Sequence, residues 1–282
     1  MAVIQDSALL EVLRCPLCGD ALTDGGGALR CGTRHSFDIA RQGYAGLLTG
    51  SALTANADTA AMVQARTAFL GAGHYAPLAG ALARTAADSC PDAGTVLDAG
   101  AGTGYYLAEV LDALPGAYGL GLDVSKFAAR RLARAHPRAG AATWDVWQPL
   151  PVRTGAADVL LNVFAPRNGE EFRRVLRPGG ALLVVTPTER HLAELREHAG
   201  LLQIDAAKED RLHRTLSGHF EREGAEPYEY GVTLAAEDVE HLVAMGPAAH
   251  HLAPEEIRQR AAGLDAPVQV TASFLLSVYR PR

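Results

Sequence analysis

The sequence predicts an α/β protein: an open seven-stranded sheet covered by helices on both faces, preceded by a small zinc-binding module. Three observations predict it. From Thr95 onward, short apolar runs alternate with amphipathic stretches, the pattern of a parallel sheet flanked by helices. A glycine-rich segment, VLDAGAGTGYY at 96–106, falls where the first of these strands ends and the first helix begins. Near the N-terminus, Cys15, Cys18, Cys31 and His35 stand in a C-x2-C, twelve residues, C-x3-H arrangement, the spacing of a zinc site.

Composition sets the bounds. With 282 residues, 48% of them hydrophobic, and a mean hydropathy of +0.03, the chain has room for one large domain and one small one. The opening MAVIQDSALLEVLR lacks a basic stretch followed by a continuous apolar run, and no segment is long enough to span a bilayer. A reducing, cytoplasmic setting is therefore expected, in which clustered cysteines serve as metal ligands rather than disulfide partners. The remaining Cys90 reads as a small buried residue. A net charge of −6 and a pI near 5.9 argue against a surface that grips nucleic acid everywhere. Arginine is concentrated locally, at Arg130, Arg131, Arg134 and Arg138 and at Arg167, Arg173, Arg174 and Arg177; each group is either a phosphate-contacting surface or a solvated helix face.

Three parts follow along the chain. Residues 1–45 form the Cys/His module, with TDGGG as the turn between the two ligand pairs, and the metal compensates for a core too small to fold alone. Residues 46–90 form a helical linker, in which Ala60 to Leu70 is rich in helix formers and Gly71 to Gly73 stops it. Residues 91–282 form the large domain. Its strands are predicted at Thr95–Ala99, Ala117–Asp123, Ala141–Asp145, Ala157–Val163, Ala181–Thr186, Tyr228–Leu234 and Val268–Tyr279. Helices are predicted at Tyr105–Leu114, Lys126–His136, Glu170–Leu176 and Glu189–Ala199, with a polar stretch over 205–226.

Gly100, Gly102 and Gly104 let the backbone turn sharply and approach a ligand. Repeated glycines alone are weak evidence, because several nucleotide loops share them. Here Asp98 precedes the first glycine, Asp123 ends the second strand 19 residues beyond Gly104, Asp145 ends the third, and Asn162 ends the fourth. An acid at the end of strand two can accept both hydroxyls of a ribose, and one at the end of strand three an adenine amino group.

Together with the RPGG turn at Arg177 to Gly180, residues 95–186 resemble the class I S-adenosylmethionine-dependent methyltransferases, whose Rossmann-like sheet has seven strands. That resemblance implies that Gly100, Gly102 and Gly104 meet the methionine end of S-adenosyl-L-methionine, that Asp123 holds its ribose and that Asp145 reads its adenine. The whole chain resembles the 23S ribosomal RNA guanine-N1 methyltransferase family. LRCPLCGDAL, SFDIARQGYAGLL after the C-x3-H, AGHYAPL, GLDVSK, FAP and TPTERHLAELRE carry the likeness, and AMGPAAHH at 244–251 resembles the Gram-positive branch linked to tylosin-type macrolide resistance.

This second resemblance implies that Cys15, Cys18, Cys31 and His35 ligate one structural Zn2+, that Tyr75, Gly102, Thr103 and His191 join the cofactor site, and that the enzyme works as a homodimer on a 23S ribosomal RNA hairpin. Thr103 stands where family members often have an acid. Guanine N1 carries a proton at neutral pH, so a proton acceptor is expected; Asn162, Arg167 and His219 are the candidates. The loop Asn162-Val-Phe-Ala-Pro166-Arg167 lacks the Pro-Pro-aromatic motif of exocyclic-amine methylation, and no cysteine nucleophile lies near it. Two rival readings are a small-molecule methyltransferase of the same fold, acting on a quinone or natural product, and a non-catalytic zinc-dependent RNA-binding protein.

Overall fold

A computed structural model of the protein describes residues 2–50, 57–196 and 215–282. In the N-terminal module, β1 (Leu22–Asp24), β2 (Ala28–Cys31) and β3 (Ser36–Asp38) pair antiparallel in the order β1-β2-β3. The main sheet contains β4 (Tyr44–Gly46), β5 (Thr95–Ala99), β6 (Tyr118–Asp123), β7 (Ala139–Thr143), β8 (Ala157–Val163), β9 (Leu176–Pro187), β10 (Phe220–Leu234) and β11 (Val268–Pro281). Its order is β10-β11-β9-β8-β5-β6-β7-β4, so the seven expected strands are joined by an eighth from the N-terminal region. β11 runs antiparallel between β10 and β9, and the other pairings are parallel. The chain moves outward from β5 through β6 to β7 and then returns to β8 on the other side of β5. That reversal opens a crevice at the carboxyl ends of β5 and β8, the place where such sheets bind ligands.

Helices α1 (Ser7–Val12), α2 (Ala60–Gly71), α3 (Ala76–Ser89), α4 (Tyr105–Ala113), α5 (Lys126–Leu132), α6 (Gly169–Val175), α7 (Ala236–Ala244) and α8 (Pro254–Ala262) cover the sheet. Successive strand side chains point to opposite faces. Val96 thus joins one core with Leu107, Val110 and Leu132, whereas its neighbour Leu97 joins another with Leu9, Leu13, Leu29 and Phe172. Gly119 and Gly121 let α4 and α5 lie directly on β6: a Cβ there would come within 2.8 Å of Leu111 and 2.5 Å of Leu132. On the opposite face the N-terminal module borrows the main core. Leu13 bridges to Val152, the Arg14 N–H donates to the Pro151 carbonyl at 3.0 Å, and Leu22 and Phe37 share a cluster with Trp144 and Leu150.

Several expected boundaries move. Strand three occupies Ala139–Thr143 rather than 141–145, which leaves Asp145 in the following turn. α5 ends at Leu132, short of His136, and β9 begins at Leu176, taking in the RPGG segment. Strand six begins at Phe220 rather than Tyr228, inside the polar stretch over 205–226. Of the helix expected over Glu189–Ala199, residues 189–192 are turns and Ala193–Leu195 a short 3-10 segment, with α-helical geometry only at Arg196; 197–199 lie outside the described residues. The cause is competition for backbone donors: Thr188 N–H donates to Ser273 and Leu192 N–H to Thr271, continuing the contact with β11, and Leu192 takes φ +54°. Among the described residues no helix is long and apolar enough to cross a membrane.

Candidate active site and metal centre

The glycine segment turns tightly out of β5. Gly100, Gly102 and Gly104 have φ of +86°, +55° and +81°, the left-handed region that side chains rarely adopt. Space also demands glycine: a Cβ at Gly100 would lie 2.5 Å from the Ala165 Cβ, and one at Gly104 2.6 Å from Leu132. At the end of β6 the Asp123 carboxylate accepts the Gly102 N–H and the Ser125 N–H, each at 2.8 Å, which ties strand two to the glycine turn. Burial pushes the Asp123 carboxyl up, and those two donors pull it back. Thr103 lies at the centre of the loop, half-buried. Asp145 is buried beyond β7, its carboxylate accepting the Trp147 N–H at 3.0 Å.

Buried polar atoms without partners collect around this crevice. Asp98 is 2% exposed, one of its oxygens has no hydrogen bond, and burial with the nearby Asp123 pushes its carboxyl up to about 8. The Asn162 side-chain oxygen and the Tyr106 hydroxyl are likewise unpartnered. Such groups cost free energy unless a ligand or water completes them. A ligand with an ammonium and hydroxyl groups on a flexible stem, as in S-adenosylmethionine, fits that donor and acceptor set beside a carboxylate-capped glycine turn.

Behind the crevice stands an aromatic wall assembled from several elements and their connecting loops. The Tyr75 hydroxyl lies 3.1 Å from His191 Nε2, and the Tyr75 ring meets Phe69 at 5.1 Å and Phe274 at 5.2 Å edge-on. Tyr75 and His191, separated by 116 positions, are thus brought together. Sequence reasoning singled out neither of two residues that border the crevice. Phe164 joins the wall from the loop after β8, with φ +54°. Arg66, the single charged residue of α2, pairs with Asp58 at 2.7 Å, and its guanidinium sits 3.3 Å from where a Gly102 Cβ would be. A lone arginine in an alanine-rich helix was the available signal.

The three candidate proton acceptors have different surroundings. The Asn162 amide donates to the Ala99 and Pro166 carbonyls at 3.2 and 2.8 Å, so it braces the loop that follows β8. Arg167, in the same loop, is half-buried with its Nε unpartnered, and burial brings its guanidinium down to about 10. His219 packs against Gly169, two positions beyond Arg167, and precedes Phe220, which pairs with Pro281.

The arginine clusters also divide. Arg138 donates to the carbonyls of Leu114, Ala117 and Leu111, capping the end of α4. Arg173, Arg174 and Arg177 are held by the Arg282 carbonyl, by Glu171 and nearby carbonyls, and by Asp158. Arg130, Arg131 and Arg134 are exposed and make no such bonds among the described residues. Lys126 and Arg130 stand one turn apart on α5, and Arg134 follows in the turn after the helix, beside a hollow that it lines with Arg41.

In the metal centre, the ligand atoms of Cys15, Cys18, Cys31 and His35 all lie within 4.8 Å of one another. The Cys18 and Cys31 sulfurs are 3.7 Å apart, and His35 Nδ1 is 3.4 Å from Cys31 and 3.5 Å from Cys15. Zn–S bonds of about 2.3 Å in a tetrahedron put ligand atoms at roughly such separations. Left-handed Gly19 and Arg34, with φ of +78° and +71°, turn the two ligand loops. Three thiols and an imidazole without an open position suit a structural zinc rather than a catalytic one.

Comparison with known proteins agrees with both halves. A family model for a zinc ribbon, described as "RlmA, N-terminal", matches residues 13–50. Over 97% of this chain and 98% of its own length, a protein of Micromonospora griseorubida described as a 23S rRNA (guanine-N(1)-)-methyltransferase is 52% identical. The 23S rRNA (guanine(748)-N(1))-methyltransferase of Streptomyces fradiae is 49% identical with the same two coverages. YxjB of Bacillus subtilis, of the same description, is 34% identical over 66% of this chain and 68% of its own. From ribbon to final strand, the chain belongs to the 23S rRNA (guanine-N1)-methyltransferase family.

Proposed function

We propose that the protein uses S-adenosyl-L-methionine to methylate N1 of one guanine in a hairpin loop of 23S ribosomal RNA, guanine 748, the nucleotide named for the Streptomyces fradiae relative. The observation that carries the reading is the joining, in one chain and over almost its full length, of the Cys3His ribbon to the glycine–carboxylate crevice. When bound, the cofactor supplies a methyl group on a positively charged sulfur, which keeps the electron pair of the broken S–C bond as N1 gains the carbon. The chain's own part is positioning and electrostatics. Gly100 to Gly104 and Asp98 hold the methionine end, Asp123 the ribose and Asp145 the adenine, with Tyr75 and His191 closing the side.

The guanine N1 proton passes to solvent water as the new bond forms. Arg167, held in the loop beside Asn162, stabilises the deprotonated base and is the group assigned to that task. The ribbon binds one Zn2+ that shapes an RNA-reading module and takes no part in the chemistry. The exposed Lys126, Arg130 and Arg134 meet the RNA phosphates. The enzyme acts as a homodimer in the cytoplasm, and its product lowers the binding of tylosin-type macrolides.

The test is transfer of label from S-adenosylmethionine to transcripts of the 23S rRNA hairpin, with free guanosine and small phenolic and quinone acceptors offered in parallel. Label in RNA, with reverse transcription blocked at one guanine, is the expected result. Label confined to small acceptors, or none at all, overturns it.

A further inference from the structure

Resting on the rRNA reading above, we infer that Phe164 is the platform on which the target purine stacks once it has left the RNA. Among the described residues three large apolar side chains are exposed: Leu17 on the ribbon, Trp147 in the turn after β7, and Phe164. Phe164 adjoins the glycine turn, since its neighbour Ala165 fills the space where a Gly100 Cβ would sit.

Its backbone is the telling feature. A φ of +54° is unfavourable for a bulky residue and persists only where the surroundings enforce it. Here they do. The Phe164 N–H donates to the Val185 carbonyl at 3.2 Å, and the Asn162 amide ties off the loop on Pro166 and Ala99. Packing alone does not account for this arrangement, because the side chain remains 43% exposed. The ring is backed by Phe274 at 5.6 Å, Tyr106 at 6.2 Å and Tyr75 at 6.5 Å. The result is a rigid aromatic surface, supported from behind and open in front, at the carboxyl end of β8 where the methyl acceptor must arrive. A splayed base presents a π-face that suits it. Stacking is indifferent to base identity, so Phe164 orients the purine while other groups select guanine.

The experiment measures kcat and KM for the hairpin transcript with the full-length enzyme and its Phe164→Ala, Phe164→Leu and Phe164→Tyr variants, alongside calorimetric S-adenosylmethionine binding. Loss of one base–aromatic stack lowers kcat/KM by about 10- to 100-fold. That loss is expected for Phe164→Ala and Phe164→Leu, with recovery in Phe164→Tyr and cofactor affinity unchanged throughout. Leucine supplies apolar bulk without a flat face, so equal activity of the leucine and tyrosine variants overturns the platform. Loss of cofactor binding in Phe164→Ala also overturns it, by making Phe164 a wall of the cofactor pocket. Failure of the wild-type enzyme to methylate the transcript overturns the rRNA reading instead.

Discussion

His191 Nε2 lies 3.1 Å from the Tyr75 hydroxyl, while its Nδ1 accepts the Ser273 backbone N–H at 3.2 Å. A ring nitrogen that accepts carries no proton, so the neutral imidazole holds its proton on Nε2 and donates it to Tyr75. Burial, reinforced by Arg196, brings His191 down to about 4, so this neutral form prevails around pH 7. Tyr75 keeps its own O–H to offer elsewhere. A backbone amide of β11 thereby sets the direction of a hydroxyl at the start of α3.

Tyr75→Phe leaves the His191 donor buried and unpaired, a cost of about 1–3 kcal/mol. The melting temperature is expected to fall by several degrees, and cofactor affinity with it. Because the folded pKa of His191 is depressed, the unfolded chain takes up the proton first, and this residue's contribution to stability is lost as pH falls from about 6.5 toward 4. Nitrogen-detected NMR of His191 checks the assignment: titration near 6.5, or a proton on Nδ1 at pH 7, refutes it.

Asp98 makes the opposite pH argument. Its folded pKa of about 8 lies above the unfolded value, so the folded chain binds the extra proton and the contribution to stability is lost as pH rises from about 4 through 8. The cationic cofactor favours the carboxylate, so its affinity is expected to rise from pH 6 to pH 9, with protons released on binding near neutrality. Asp98→Asn should flatten both trends, weaken cofactor binding and stabilise the unliganded protein at pH 8. Calorimetry in buffers of different ionisation enthalpy measures the proton count, and a count of zero at pH 7 rejects this assignment.

The glycine turn carries two separable demands, backbone sign and space. Gly104→Ala faces both, with φ +81° and Leu132 and Ala135 at 2.6 and 2.8 Å from the new Cβ. Overpacking and left-handed strain each cost about 1–3 kcal/mol. The variant should melt earlier and lose cofactor binding. Gly116→Ala, where nothing lies within 4 Å of a Cβ, is the control and should leave both almost unchanged.

What the sequence revealed and what it hid divide along range. The glycines, Asp98 and Asp123 are legible because strand, turn and acid are close in the chain and each position has a local geometric reason. The four metal ligands are legible for the same reason. The aromatic wall is not: Tyr75, Tyr106, Phe164, His191 and Phe274 meet only because the sheet order brings β5, β8, β9 and β11 together. The short β4 escaped notice because three residues carry no readable periodicity. The two arginine groups look alike in sequence, and only the carbonyls that Arg138 and Arg174 reach across the fold distinguish structural arginines from free ones.

That distinction gives a measurable contrast. Neutralising Arg130 and Arg134 together removes charges without breaking any described bond. Each lost phosphate contact reduces the slope of log affinity against log salt by about 0.7 to 0.9. RNA affinity should therefore fall, with a slope shallower by about 1.5, while cofactor binding and melting temperature hold. Arg174→Ala should do the reverse, lowering stability through the lost bonds to Glu171, Val152 and Leu150. Equal salt slopes for the double variant and the wild type remove α5 from the RNA surface.

Zinc removal tests how far the ribbon depends on its neighbours. Cys15 is almost fully buried and belongs to the same cluster as Leu9, Leu13 and Leu150, so its loop is anchored by the main core even without metal. Cys18 is exposed, and its side chain meets only the other ligand atoms and Thr33 among the described residues, while backbone bonds from Cys15 to Asp20 and from Gly19 to Cys15 close the turn. Chelation, or Cys18→Ser, is therefore expected to loosen the outer ribbon while leaving the sheet and the glycine crevice folded. Hydrogen exchange should rise over residues 15–35 and stay low over 95–123. RNA KM should increase by about tenfold or more, the scale of losing a recognition contact of roughly 1.4 kcal/mol, while cofactor affinity stays near its original value. If chelation abolishes cofactor binding and exposes the main sheet to exchange, the ribbon is part of the folding core rather than an RNA-reading attachment to it.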